Sequence, residues 1–415
     1  MNTQSQLRSD ANPEVNPAEN PDVVQDIMAG GPPTLSRRAL LRGAGLLAAG
    51  GMGLAGYAVG KSGRVSAAPA PAAPAVPPAA LPAAAPANEV PPTATPWPAK
   101  PVGASQVAAD PTALPGPVDW TEPRHHKITL DVVEVVAEIE PGVTFSYMTF
   151  GGRIPGPMIR VRQGDTVEIT LNNLPDNLMP HNVDLHAVYG PGGGAEATFV
   201  VAGQSNGMLF KALYPGAFMY HCAVPTLDHH ISSGMFGMIV VEPPEGLPPV
   251  NREFYLGQHE LYTDQAAGVP GHHNFDFAAM QREQPTYVLL NGEKHALTPG
   301  RRGAMQAQTG ETARIFFVCG GPNLSSNFHP VGSVWSKVWR EGAILNTPER
   351  YVQTVAVPPG SCLVAEIEFS VPGVVNLVDH ALTRVVSKGM LGVIEVAGEP
   401  QPDLFMPDLP GDPTG

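Results

Sequence analysis

Gly164-Asp165-Thr166-Val167-Glu168-Ile169-Thr170-Leu171 alternates polar and apolar side chains, and Gly310-Glu311-Thr312-Ala313-Arg314-Ile315 echoes it. A period of two puts every second side chain on one face, the pattern of a half-buried strand. Lys127 to Val132 alternates likewise, Gly, Pro and Asn separate the runs, and no long helical period competes. An all-β sandwich follows. The echo is not isolated. Gly234-Met235-Phe236-Gly237-Met238-Ile239-Val240 returns as Gly389-Met390-Leu391-Gly392-Val393-Ile394-Glu395. Pro215-Gly216 precedes His221 as Pro372-Gly373 precedes His380, and Asn182-Val183-Asp184-Leu185-His186 lines up with Ser325-Ser326-Asn327-Phe328-His329. A duplicated domain explains all four matches at similar offsets. The two units are placed at 124–245 and 250–398, with a Pro-containing joint at Pro243 to Pro249 and a tail at 399–415.

The rest of the chain bounds what those units can do. Among 415 residues there are 45 Gly and 47 Pro but only 15% charged side chains, which suits short strands joined by turns plus some disordered sequence. A net charge of −14 argues against nucleic acid as a partner. Three cysteines, Cys222, Cys319 and Cys362, are too few for a disulfide scaffold. Cys319 and Cys362 fall on strand-like stretches and read as buried thiols, with a disulfide left open.

Ser36-Arg37-Arg38-Ala39-Leu40-Leu41-Arg42 resembles a twin-arginine export motif, followed by an uncharged stretch up to Lys61 that contains seven glycines. Small residues at Val65-Ser66-Ala67 offer a cleavage site; an uncleaved membrane anchor is the alternative. Residues 1–66 are therefore read as a signal segment, implying the periplasm or the outer face of the envelope. Residues 67–123 are read as a largely disordered Ala/Pro-rich linker able to act as a tether.

Unit one carries His181, then Cys222, then His230 after seven intervening residues and Met235 after four more. Two imidazoles, a thiolate and a thioether are the ligands of a blue-copper electron-transfer centre, in which the soft thiolate favours copper and a weak axial Met tunes the potential. A lone Cys or Met on a strand is more often core; the ordered set is what carries the assignment. Unit two is an internal control. It keeps Met390 but has Leu324 where His181 would align and no Cys near His380. It cannot form this centre, and Met390 is expected in the core.

His186 and His221 in unit one correspond to His329 and His380 in unit two. Three neutral imidazoles with one open position make a catalytic metal site. His186, His221 and His380 are assigned as ligands, with Asp184 and His329 as nearby acid–base groups. Zinc would suit such a site equally. His221 and Cys222 are chain neighbours, however, and a covalent path between two metals serves the movement of single electrons.

These residues resemble the copper-containing nitrite reductases over roughly 125–398. The match includes Ile154-Pro155-Gly156-Pro157-Met158-Ile159-Arg160-Val161-Arg162, His181-Asn182-Val183-Asp184-Leu185-His186, Tyr220-His221-Cys222-Ala223-Val224, Gly321-Pro322-Asn323-Leu324, His329 and Leu377-Val378-Asp379-His380. The resemblance implies two tandem cupredoxin-like Greek-key sandwiches and two coppers per chain, one type 1 and one type 2. It further implies a homotrimer in which His186 and His221 of one chain meet His380 and His329 of the next. Nitrite would be reduced by one electron to nitric oxide and water, the electron passing through Cys222 and His221 and the protons coming from Asp184 and His329. The donor would be a small cupredoxin or a c-type cytochrome. Val331 stands where the family usually carries an isoleucine that crowds the substrate. One departure is Asp228-His229, which places a rival imidazole beside His230. His125, His126, His259, His272, His273 and His295 match no part of the pattern.

Two other functions are weighed. A two-domain multicopper oxidase needs a trinuclear cluster built from His-x-His pairs; Cys222 is followed by Ala223, and no His-x-His occurs in the chain. A non-catalytic electron-transfer protein would need only the blue centre and leaves the second set of histidines without a purpose.

Overall fold

The computed structural model describes residues 106–407; the signal segment 1–66, linker residues 67–105 and residues 408–415 lie outside the described residues. Strand Thr166–Asn173 buries alternate side chains, as its sequence demands. It lies parallel to His125–Glu140, with His126 opposite Val167, and antiparallel to Ser205–Lys211. His125–Glu140 pairs antiparallel with Val143–Phe150. In the second repeat Thr312–Gly321 lies parallel to Arg252–Leu261, with Arg252 opposite Ala313, and antiparallel to Ser361–Glu368. Arg252–Leu261 pairs antiparallel with Tyr287–Leu290.

The facing sheets repeat as well. Ile159–Arg162 is parallel to Phe236–Glu242, which is antiparallel to Gly216–His221, itself antiparallel to Asp184–Leu185. Met305–Gln308, Leu391–Ala397, Gly373–Asp379 and Ser326–Val331 follow in the same order and sense. Two sandwiches of one topology, each closing over its own apolar core, bear out the all-β duplicated fold. Equivalent strands Gly216–His221 and Gly373–Asp379 run out into His221 and His380 at the same end of each sandwich.

A third apolar cluster joins the repeats, with Phe145, Tyr147 and Phe236 of the first packed among Tyr255, Phe316 and Val364 of the second. Beside it runs a buried ionic chain. The Arg160 guanidinium donates to Glu242 (2.5 Å) and Glu253 (2.6 Å), Arg314 to Glu253 (3.0 Å) and Glu366 (2.7 Å), and Lys337 to Glu366 (2.6 Å). Each buried charge has a partner, the condition under which such groups are tolerated.

One boundary needs correction. Residues 106–123, read above as the end of a disordered linker, are bound to the fold. Val107 is fully buried, its amide and that of Ala108 donate to Glu293, Ile154 N donates to Val107 O (2.8 Å), and Tyr255 N donates to Pro111 O (2.8 Å). Further on, Trp120 Nε1 donates to buried Asp165. Nor does the second unit keep to its own sandwich: Gly271–His273 pairs with Val143–Phe150 and extends the first repeat's sheet. Among the described residues, no helix is long and apolar enough to cross a membrane.

Candidate metal centres

Gly216–His221 delivers Cys222 into the core of the first sandwich, where Cys222, His181, His230 and Met235 are all fully buried. His181 Nδ1 lies 3.9 Å and His230 Nδ1 3.4 Å from Cys222 Sγ, and the three donor atoms fall within 4.8 Å of one another. His181 Nε2 meets Glu134 Oε1 at 3.0 Å, which leaves Nδ1 with its lone pair facing the sulfur. Burial alone would raise Glu134, but the His181 ring and the amides of Leu178 and Met179 outweigh it and hold the carboxyl below its ordinary value. Asn182 Oδ1 accepts from Ala223 N at 2.7 Å and pins the chain just beyond Cys222. Met235 N donates to His230 O and Cys222 N to Met235 O, so the Cys-to-Met loop closes on itself.

Without a cation this cluster is uncomfortable. Burial pushes the Cys222 thiol up to about 11 and the His230 imidazole down to about 4, and His230 Nε2 is buried without a partner. Two imidazole nitrogens and a thiol sulfur, buried together within 4.8 Å of one another, fit a copper site in which a soft cation would take the place of the thiol proton. The histidine beside His230 does not compete. On the short helix Leu227–Ser232, His229 turns outward onto Phe275 (ring centroids 4.2 Å apart) and Phe277 (5.0 Å), while His230 faces the sulfur.

The second cluster lies one peptide bond away. His221 Nε2 is 3.1 Å from His186 Nε2, with the rings near perpendicular, and 3.8 Å from Asp184 Oδ2. His221 Nδ1 sits 2.9 Å from the Cys222 carbonyl and donates to it, so Nε2 carries the lone pair. Packing around its ring, with His221 beside it, keeps the His186 imidazole below its ordinary value. Two imidazole nitrogens converging at this spacing fit two ligands of one ion.

His380 does not complete this group within one chain. Its ring lies 5.2 Å from that of His329 at the edge of the second sandwich, where His380 is exposed and His329 half-buried. His329 Nδ1 is 2.6 Å from the Gln353 carbonyl. Val331, on the same strand, is 41% exposed. Met390 is fully buried in the second core with Leu324 packed against it, as expected of a copy without the ligands. Cys319 and Cys362 are buried free thiols. The unassigned histidines do structural work: His126 pairs with Asp165 (2.8 Å), His259 with the Ser232 carbonyl (2.8 Å) and His273 with the Val269 carbonyl (2.8 Å).

Glu134 was not found in the sequence. It sits on a strand whose alternation makes any Glu look like a solvated face, and its partner is 47 residues away.

A family model for multicopper oxidases matches residues 131–246. The copper-containing nitrite reductase of Neisseria meningitidis is 43% identical over 296 residues, covering 71% of this chain and 75% of that protein. The copper-containing nitrite reductase of Cereibacter sphaeroides is 35% identical over 300 residues, covering 68% and 79%. A solved copper nitrite reductase from Nitrosomonas europaea shares the fold with a TM-score of 0.60 at 31% identity, covering 67% of this chain and 96% of that one. Sequence likeness across both sandwiches, with two histidine clusters joined at His221-Cys222, places this chain in the family of copper-containing nitrite reductases.

Proposed function

We propose that this enzyme reduces nitrite by one electron to nitric oxide and water, the electron entering at His181, Cys222, His230 and Met235 and crossing the Cys222–His221 link to the cluster built on His186 and His221. The carrying observation is that adjacency: neighbouring residues face two different clusters, His221 with Nε2 3.1 Å from His186 and Cys222 with its sulfur 3.4 Å from His230. Two coppers per chain, one of each type, would supply the redox couple at both clusters and a Lewis acid at the second.

The side chains then divide the work. His181 and His230 offer Nδ1, Cys222 its sulfur and Met235 its thioether to the first centre; His186 and His221 offer Nε2 to the second. His380 of the partner subunit would be the third imidazole there. What supports a homotrimer is the exposure of His380 and its separation from the His186/His221 group within one chain. Nitrite, one electron and two protons give nitric oxide and water. Asp184, with Oδ2 3.8 Å from His221 Nε2, would deliver one proton. His329 of the partner subunit would deliver the other, its Nδ1 tied to a carbonyl so that Nε2 is the exchanging nitrogen. Val331 would narrow the pocket around nitrite.

Exposed Leu178, Met179 and Leu227, close in sequence to His181 and His230, offer an apolar approach for a small cupredoxin or c-type cytochrome. The twin-arginine stretch supports export to the periplasm or the outer envelope face, with the Ala/Pro spacer as tether.

Oxygen reduction is the second reading, favoured by the multicopper-oxidase match over 131–246. Against it stand the missing His-x-His pairs from which a trinuclear cluster would be built. Copper stoichiometry and paramagnetic resonance on the purified protein, with nitric oxide measured in parallel, separate the two. Two coppers per chain with distinct signatures and nitrite-dependent nitric oxide are expected. Four coppers with oxygen uptake and no nitric oxide would overturn the proposal.

A further inference from the structure

Asp184 has its carboxylate fixed by no hydrogen bond among the described residues; His221 Nε2 lies 3.8 Å from Oδ2, with the His186 imidazole in the same group. The other oxygen rests on a glycine. In the turn Pro191–Gly194, Gly192 and Gly193 both adopt left-handed backbone, at φ +55° and +57°. A Cβ added to Gly193 would lie 1.8 Å from Asp184 Oδ1 and 2.9 Å from its Cγ, with the Leu185 carbonyl closing the remaining space at 3.0 Å. A Cβ added to Gly192 would meet only Ala195 Cβ, at 3.4 Å. The two glycines thus make the same demand on the backbone and differ chiefly in contact with the carboxylate.

We propose that Gly193 is a positioning residue for the reaction: its bare Cα seats Asp184 Oδ1 so that Oδ2 stays turned toward His221 and the nitrite pocket. This rests on the reading of Asp184 as a proton donor. Any side chain at 193 rotates the carboxylate away, because the carboxylate is the movable atom group in the contact and the Leu185 backbone is not.

The test uses the full-length, copper-loaded protein and the variants Gly193→Ala, Gly192→Ala, Asp184→Ala and Gly193→Ala/Asp184→Ala, read by nitrite kcat, blue absorption and thermal unfolding. Gly193→Ala should lower kcat about 100-fold, the scale of a misplacement of about 1 Å at a reacting group, with the blue band unchanged. Gly192→Ala should carry the same backbone strain in its unfolding temperature yet keep kcat within a few-fold. The extra drop in unfolding temperature of Gly193→Ala over Gly192→Ala should shrink in the Asp184→Ala background, where the carboxylate is gone and only the Leu185 carbonyl remains close to the Cβ. If Gly193→Ala alone does not fold, recovery of folding in the double variant supports the contact and failure there overturns it. Equal kcat losses for Gly192→Ala and Gly193→Ala overturn the positioning role. Full kcat in Asp184→Ala would instead overturn the proton-donor reading, and the thermal coupling would still decide the contact on its own.

Discussion

The two sandwiches share strand order and sense but spend equivalent positions differently. In the first, Gly216–His221 runs out into His221-Cys222 and the loop between Thr166–Asn173 and Asp184–Leu185 supplies His181; in the second, Gly373–Asp379 runs out into His380-Ala381 and Leu324 stands where His181 would align. The strand register extends the comparison to a carboxylate. His126 opposes Val167 and Arg252 opposes Ala313, so Glu134 and Glu260 occupy the same place on equivalent strands. Glu134 accepts from the amides of Leu178 and Met179 and from the His181 ring; Glu260 accepts from the amides of Asn323 and Leu324 and from the Tyr262 hydroxyl. The carboxylate is a loop anchor in both copies. Only in the first copy, where His181 stands at the position Leu324 takes in the second, does it have a second task, holding that ring's far nitrogen. The first candidate metal cluster is therefore a local difference between two copies of one scaffold.

The strongest challenge to that view is to remove one cluster and ask whether the other notices. His186→Ala should abolish nitrite turnover while the blue absorption persists, because Cys222, His181 and His230 are held by contacts that do not involve His186. Cys222→Ala should lose the colour and all donor-driven turnover. Nitric oxide production by His186→Ala would show the second cluster to be misassigned.

Next comes the joint between the copies. Glu253 bridges Arg160 of the first repeat and Arg314 of the second. Glu253→Ala leaves two buried guanidiniums undercompensated and should cost about 3–5 kcal/mol. Denaturant unfolding followed by blue absorption and by tryptophan fluorescence should shift together, since the shared apolar cluster couples the repeats. Separate transitions, with the colour outlasting the second sandwich, would mean that each copy stands alone.

The anchoring carboxylates make a pH prediction. Burial pushes Glu260 up to about 7, against the donors that favour its charged form. A carboxyl whose folded value is raised binds its proton more tightly folded than unfolded. Its contribution is present below the unfolded value near 4.5 and fades as pH rises to about 7. Stability should fall across that window by roughly 3 kcal/mol, and Glu260→Gln should flatten the dependence. Unfolding free energies at pH 5 and pH 7.5 check it; an unchanged slope in the variant would assign the effect to another group.

What the sequence disclosed and what it hid follow from how far each constraint reaches. His181, Cys222, His230 and Met235 were legible as candidate ligands because a soft-metal site demands particular residue types at particular spacings, and the second copy shows the same scaffold without the Cys and the His181 equivalent. Choosing His230 over His229 needed only the spacing to Met235, and the short helix then turned the two rings to opposite sides. Residues 106–123 were misread because a Pro-rich composition describes a spacer equally well, and what orders them is Glu293, 186 residues from Val107. Gly193 lay in a run of three glycines with nothing to single it out. Its importance is a distance to Asp184, which no period or composition encodes.

The smallest effect is also the cleanest comparison of the copies. Met235 and Met390 occupy equivalent positions and are both fully buried in the cores of their sandwiches. As packing they are alike, and Met to Leu nearly conserves volume, so each substitution should cost less than about 1.5 kcal/mol. As chemistry they should differ. Met390→Leu should leave the visible spectrum and the reduction potential of the blue centre where they were. Met235→Leu should move both, because it removes a weak axial donor while keeping the apolar wall. No spectral change from Met235→Leu would mean that its thioether is core like its counterpart, and that a metal in the first copy is held by three ligands rather than four.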